Sequence, residues 1–161
     1  MDEWTWGLSL ITLTIAVHVT GVTFLASLLH YFRIRLESRN PGRPHLIPII
    51  ITAVTAMALI LGVLHAIEAL FWAEAYVRLG ALGSFDAALL YSVDSMATLG
   101  ASNFPLAPRW RMMGALEAAD GMLLFGISTA FVFTVMAFYF QHLLLLERAD
   151  GNVDLRRKPP R

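Results

Sequence analysis

The stretch YSVDSMATLGASN, residues 91–103, lies between two strongly apolar segments and decides which fold the sequence predicts. It overlaps a moderately apolar run, Phe85 to Ala97, which is shorter than the ~20 residues that a helix needs to cross a bilayer. The following segment, Thr98 to Pro108, contains a glycine and two prolines, which disfavour a continuous helix. Irregular backbone at membrane depth is tolerated only where protein buries it or where it lines a water-filled cavity. A short helix followed by an irregular return therefore predicts a re-entrant loop.

The segments around this loop are long and apolar enough to span a membrane. Of the 161 residues, 57% are hydrophobic and 15% are charged. No Asp, Glu, Lys or Arg occurs in residues 6–32, 46–67 or 121–146, and each run reaches the ~20 residues of a bilayer span. We expect three spans: Trp6 to Tyr31, Leu46 to Phe71 or beyond, and Met112 to Leu146.

The Lys and Arg residues predict the orientation of these spans, because cationic loops stay on the cytoplasmic side. The loop between the first two spans carries four of them and the C-terminal tail carries five, whereas the long middle segment carries three. The first loop and the C-terminus are therefore expected in the cytoplasm, and the N-terminus outside.

Composition also limits the chemistry of the chain. It contains no cysteine, which excludes disulfides, thiolate metal sites and a catalytic thiol. Its formal net charge is zero, which gives no argument for a nucleic-acid partner. The expected surroundings are membrane lipid, with anionic-lipid binding by the first-loop arginines as a secondary interpretation.

The segment from about His65 to Met136 resembles the pore domain of tetrameric potassium channels, and in particular the small bacterial two-transmembrane-pore "ion channel" domain proteins. The residues that carry the resemblance are ALLYSV at 88–93, Thr98-Leu99-Gly100, and GISTA at 126–130. It implies an all-α integral membrane fold of three transmembrane helices plus a re-entrant pore helix and filter loop, assembled as a homotetramer around a central pore in a bacterial inner membrane. Residues 45–146 would form the pore domain, 1–44 an extra transmembrane helix with its cytoplasmic loop, and 147–161 a disordered cytoplasmic tail.

The resemblance implies a cation site in the loop. Thr98 would supply a hydroxyl, and Leu99 and Gly100 would supply backbone carbonyls that replace the hydration shell of a monovalent cation, K⁺ or Na⁺. No other metal or cofactor is expected.

The outer part of the loop departs from the usual filter, Thr-Thr-Val-Gly-Tyr-Gly-Asp. The tyrosine is replaced by Ala101, the second glycine by Ser102 and the aspartate by Asn103. The expected function is therefore a potassium-channel-like cation channel with weakened or lost selectivity. The alternative is a non-conducting structural or regulatory membrane protein with a collapsed filter.

Several residues are expected to support this filter. Asp94 would bond to Asn103, remain protonated or pair with another group. Its role would be either structural, as a buried and satisfied carboxyl, or functional, as a group that couples conduction to pH. The remaining support residues are Tyr91, Glu68 and Glu117, and the inner-helix hinge residues are Gly121 and Gly126.

Two pairs of polar residues leave a further alternative open. His65 and Glu68 are three residues apart on one helical face, as are Glu117 and Asp120, a spacing that can hold a metal between helices. These four residues would suit a metal-binding membrane enzyme. The other interpretation is that these residues form a hydrogen-bonded polar cluster near the outer membrane surface. We favour this interpretation, and we expect no enzyme activity. His18 is interpreted as a packing or interfacial residue.

Overall fold

The computed structural model describes residues 3–37, 43–100 and 105–157. The helices in this part of the chain are α1 (Glu3–Glu37), α2 (Arg43–Arg78), α3 (Phe85–Met96), a short 3₁₀ turn (Pro108–Trp110) and α4 (Arg111–Arg157). Three of them are long and apolar enough to cross a membrane, with candidate spans Glu3–Phe32, Ile47–Arg78 and Pro108–Gln141. The described part of the chain is therefore all helical, as predicted, with three candidate transmembrane helices.

Hydroxyl groups on the exposed faces of the long helices are satisfied within their own helix. Thr12 and Thr20 donate to the carbonyl oxygens four residues earlier at 2.8 and 2.7 Å, and Thr129 and Thr134 do the same at 2.8 Å. Lipid offers no hydrogen-bond partner, so an unsatisfied hydroxyl there costs free energy. This local bonding lets polar side chains occupy apolar spans.

The short helix α3 has its own start signal. Ser84 is its N-cap, and the Ser84 hydroxyl accepts a hydrogen bond from the backbone N–H of Ala87 at 3.3 Å. Before it, Gly80 adopts φ 65°, a left-handed conformation that glycine takes at low cost and that lets the chain turn after α2. The helix then packs against α2 and α4.

The two halves of the bundle differ in packing. The end of the bundle where α3 packs, which we call the α3 half, has a core of buried apolar residues: Leu10, Trp72, Ala73, Tyr76, Ala88, Leu106, Trp110 and Met113. The opposite half has a smaller buried cluster: Leu25, Met57 and Leu61. Four helices meet in the first half and only α1, α2 and α4 in the second.

The C-terminal tail differs from the expectation of disorder. Helix α4 continues through residues 147–157, to Arg157, so this part of the predicted tail is helical. Leucine, glutamate, arginine and alanine dominate residues 143–149 and are good helix formers. Extending an existing helix needs no new nucleation, and the single Gly151 costs only about 1 kcal/mol. Residues 147–157 are therefore helical, and residues 158–161 lie outside the described part of the chain.

Candidate functional site

The C-terminal end of α3 forms a capped turn that displays its last residues. The N–H of Leu99 donates to the carbonyl of Asp94 at 2.9 Å, and the N–H of Thr98 donates to the carbonyl of Ser95 at 2.9 Å. This pair of bonds is the Schellman arrangement, which ends a helix with one residue in the left-handed conformation. Here that residue is Thr98, with φ 58°.

A β-branched residue is unusual at this position. Glycine ordinarily occupies the left-handed cap, because a Cβ clashes with the backbone there at a cost of roughly 1–2 kcal/mol. Thr98 is the non-glycine residue with positive φ in the described chain, and Gly100 follows with φ 69°. Strained backbone of this kind is concentrated at functional sites. Residues 98–100 are all exposed, Leu99 by 74%.

Buried polar contacts hold α3 in place against α4. The Ser92 hydroxyl donates to Glu117, and the Ser95 hydroxyl donates to the carbonyl oxygen of Gly114 at 2.9 Å. Glu117 also accepts a hydrogen bond from the Tyr76 hydroxyl at 2.8 Å. All of these side chains are buried, so Glu117 links α2, α3 and α4 at one point. The filter-support role of Glu117 stays a prediction.

Two glycines of α4 permit this close approach. A Cβ at Gly114 would collide with the Tyr91 hydroxyl. A Cβ at Gly121 would collide with the backbone of Met96, whose Cα lies 2.7 Å from that position. A Cβ at Gly126 meets nothing within 4 Å. The two predicted hinge glycines therefore differ: Gly121 lies at a helix contact, and Gly126 faces open space.

Tyr91 and Asp94 lie on α3 as the sequence predicts. The Tyr91 ring packs edge-on against Tyr76, with centroids 5.3 Å apart. Burial raises the pKa of Tyr91, and the charge of Glu117 adds to the effect, so its phenol stays neutral. Asp94 is half-buried, and its backbone carbonyl caps the helix. Its proposed partner Asn103 lies outside the described residues, as do Ala101 and Ser102.

A second polar contact joins α1 to the bundle. Asp120 Oδ2 accepts hydrogen bonds from the Thr14 hydroxyl at 2.7 Å and from Trp72 Nε1 at 3.1 Å. All three residues are buried, and Asp120 Oδ1 has no hydrogen-bond partner. This carboxyl therefore connects α1, α2 and α4.

A third group of polar residues forms a closed ring, which we call the histidine ring: His18, Glu68, His65 and Ser128. His18 Nδ1 lies 2.8 Å from Glu68 Oε1, and His65 Nδ1 lies 3.2 Å from Glu68 Oε2. On the other side, Ser128 Oγ lies 3.1 Å from His18 Nε2 and 3.2 Å from His65 Nε2. His18 and Glu68 are fully buried, and His65 is 23% exposed.

The ring changes the interpretation of His18. This residue does more than pack, because it bonds Glu68 on α2 and Ser128 on α4. It also lies near the middle of the candidate span of α1. A signal was present in the sequence: Thr14 and His18 are four residues apart and hence on one face of an otherwise apolar span.

The four residues suggested for a metal enzyme do not form one group. His65 and Glu68 join His18, whereas Glu117 bonds Tyr76 and Ser92, and Asp120 bonds Thr14 and Trp72. Within the described ranges, the His and carboxylate side chains that lie close enough to share a metal ion are His18, His65 and Glu68.

Comparison of the chain with protein-family models, with curated proteins and with solved structures finds no match.

Proposed function

We propose that the chain is the subunit of a potassium-channel-like cation channel, in which four copies surround a pore and the end of α3 contributes the ion site. The proposal places the channel in a bacterial inner membrane, with the N-terminus outside and the C-terminus in the cytoplasm. Its selectivity for K⁺ is weakened or lost, because Ala101, Ser102 and Asn103 replace the residues that shape the outer filter.

The observation that carries this proposal is the strained, exposed cap at Thr98. A threonine in a left-handed conformation costs about 1–2 kcal/mol where glycine would cost nothing. The capped turn also exposes residues 98–100 at the end of α3. A hydroxyl beside exposed carbonyl groups is the chemistry that replaces the water shell of a cation. An ion-binding role would therefore explain why Thr98 occupies this position despite the strain in its backbone.

The electrostatics of α3 favour a cation at the same place. The C-terminus of a helix carries a partial negative charge of about half an electron. Glu117, Ser92 and Ser95 hold α3 by buried contacts, so this end points in a defined direction. One loop per chain contacts an ion from one side only, so the remaining contacts must come from the same loop in other copies of the chain, arranged by rotational symmetry. Hence the proposal requires a homotetramer.

The test is ion flux into liposomes that contain the purified, cross-linked tetramer. We expect K⁺ and Na⁺ flux above that of empty vesicles, and about tenfold less flux in Thr98→Ala, because a lost ion contact of ~1.4 kcal/mol changes an equilibrium tenfold. Thr98→Ser retains the hydroxyl and should keep the flux. The matched control is Thr20→Ala, whose hydroxyl bonds its own helix on an exposed face of α1.

Restoring the outer filter provides a second test. The triple variant Ala101→Tyr, Ser102→Gly and Asn103→Asp should raise the K⁺ over Na⁺ flux ratio. An unchanged ratio would show that these residues do not line the path. If intact tetramers carry neither ion, the chain is instead a non-conducting protein that keeps the pore fold.

A further inference from the structure

We propose that His18, His65 and Glu68 form a binding site for a divalent transition-metal ion, with Zn²⁺ as the best match. The site lies between α1 and α2, and it is independent of the proposed pore function. Two imidazole nitrogens and a carboxylate oxygen are a common zinc donor set, which leaves the fourth coordination position open to water.

The geometry is close to that of a formed site. The three ligand atoms lie within 4.8 Å of one another. In a tetrahedral zinc site with bonds of ~2.0–2.1 Å, neighbouring ligand atoms are roughly 3.3–3.4 Å apart. Glu68 Oε1 lies 2.8 Å from His18 Nδ1, and the other oxygen of the same carboxylate, Oε2, lies 3.2 Å from His65 Nδ1. Small side-chain movements would therefore admit an ion between them.

Ser128 supplies the support that metal-bound histidines require. A histidine that binds a metal through one ring nitrogen almost always donates its other N–H to an oxygen. With the metal on the Nδ1 atoms, both Nε2–H groups would donate to Ser128 Oγ, which they approach at 3.1 and 3.2 Å. A hydroxyl oxygen has two lone pairs and can accept both bonds.

The charges of the site also favour a cation. Glu68 is fully buried, and its Oε2 makes no hydrogen bond although it lies 3.2 Å from His65 Nδ1. Neither Lys nor Arg occurs in residues 46–67, 6–32 or 121–146, which contain most of the surrounding spans. Asp120 adds a second buried carboxyl nearby, and its Oδ1 is also without a partner. A buried carboxylate needs a positive partner, and a divalent ion supplies more charge than one protonated histidine.

An ion could enter from the His65 side. His65 is 23% exposed, whereas His18 and Glu68 are fully buried. The Phe125 ring lies beside this entry, with its centroid 6.0 Å from that of His65. When bound, the ion would tie α1 to α2, and through Ser128 to α4.

The test uses the full chain in detergent, without an affinity tag, freed of metal by a chelator and titrated with Co²⁺. We expect one Co²⁺ per chain, with the visible absorption of a four- or five-coordinate ion, and its displacement by Zn²⁺, which binds such sites more tightly. His18→Gln and His65→Gln should abolish the absorption. Ser128→Ala should weaken binding by about 10- to 100-fold, as loss of a supporting hydrogen bond does.

The control variant replaces His30, His45 and His142, the remaining histidines of the chain, by Gln and should bind Co²⁺ as the wild type does. X-ray absorption of the Zn²⁺-loaded wild type gives a readout that does not depend on any variant folding, and we expect scattering from two imidazole rings. The proposal is overturned if the wild type binds no Co²⁺, if His18→Gln binds it equally well, or if the zinc spectrum shows oxygen ligands alone.

Discussion

In the α3 half of the bundle four helices meet around a closed core, whereas in the opposite half three helices meet and the buried apolar cluster shrinks to Leu25, Met57 and Leu61. The α3 half also contains the buried carboxyls Glu117 and Asp120, each bonded to side chains from other helices. Large apolar side chains are exposed in both halves, for example Leu8 and Leu90 in the α3 half and Phe133 and Ile51 in the opposite half.

The two halves are stabilised by different interactions. Apolar burial gives little driving force between helices in lipid, because lipid tails are as apolar as the side chains, so packing and polar contacts carry more of the stability. The α3 half has both. The opposite half has the smaller buried cluster, and in both halves exposed apolar side chains are left for lipid or for other copies of the chain to cover. We therefore expect substitutions in the α3 half to have the larger effects in a single chain.

The largest effect is expected for Glu117→Ala. It leaves the Tyr76 hydroxyl buried without an acceptor, at roughly 1–3 kcal/mol, whereas Ser92 keeps a second acceptor, the backbone carbonyl of Ala69 at 3.0 Å. Including the cavity left by the removed side chain, we expect a free energy of unfolding lower by about 3–5 kcal/mol, measured by SDS titration in mixed micelles. The matched control is Glu74→Ala, which breaks an exposed pair with Arg78 worth about 0–1 kcal/mol. Equal effects of the two substitutions would contradict the comparison.

Gly121→Ala should have the next largest effect. The added Cβ collides with the backbone of Met96, which cannot rotate away as a side chain can, so α3 must shift. Overpacking of this kind costs about 1–3 kcal/mol. Gly126→Ala, on the same helix but in open space, should be neutral or stabilising by up to about 1 kcal/mol. The stability of both variants can be measured by thermal unfolding in detergent. If Gly126→Ala were destabilised, Gly126 would also lie at a packed helix contact.

Met57→Ala tests the opposite half. Met57 is buried between helices, and the same truncation in a water-soluble core costs about 2–5 kcal/mol. Because lipid is as apolar as the side chain, the transfer part of this cost is small, which leaves on the order of 1–2 kcal/mol for the cavity. Leu59→Ala, at a site 67% exposed on the same helix, is the control and should change the free energy of unfolding by less than about 0.5 kcal/mol. A loss at Met57 as large as that at Glu117 would mean that the two halves are packed alike.

The smallest effect is expected at Thr98, at the end of α3, where a substitution should stabilise the protein and not destabilise it. Thr98→Gly relieves the left-handed strain and should raise the free energy of unfolding by about 1 kcal/mol. Gly100→Ala, also at positive φ, should lower it by a similar amount. The hydrogen-exchange rate of the Leu99 amide gives a second measurement, because this amide donates one of the two hydrogen bonds of the cap. Destabilisation by Thr98→Gly would show that the threonine side chain itself holds the turn.

The sequence predicted the helices far better than it predicted their contacts. The length of α3 was readable because Phe85 to Ala97 is apolar and is followed by Gly100, Pro105 and Pro108, which interrupt helices. The partners of Glu117 were not readable, because Tyr76 and Ser92 come from other helices. Spacing along a helix identifies neighbours on the same face only.

Three apolar spans and a short helix between two of them were determined by the sequence alone, since uninterrupted apolar runs in lipid must satisfy their own backbone as helices. The tertiary structure decided which polar side chains meet. His18 approaches Glu68 across 50 positions of the chain, and Ser128 closes the ring from a third helix. The physical reason is that a buried polar group must find a partner, and helix packing determines which partner lies within reach.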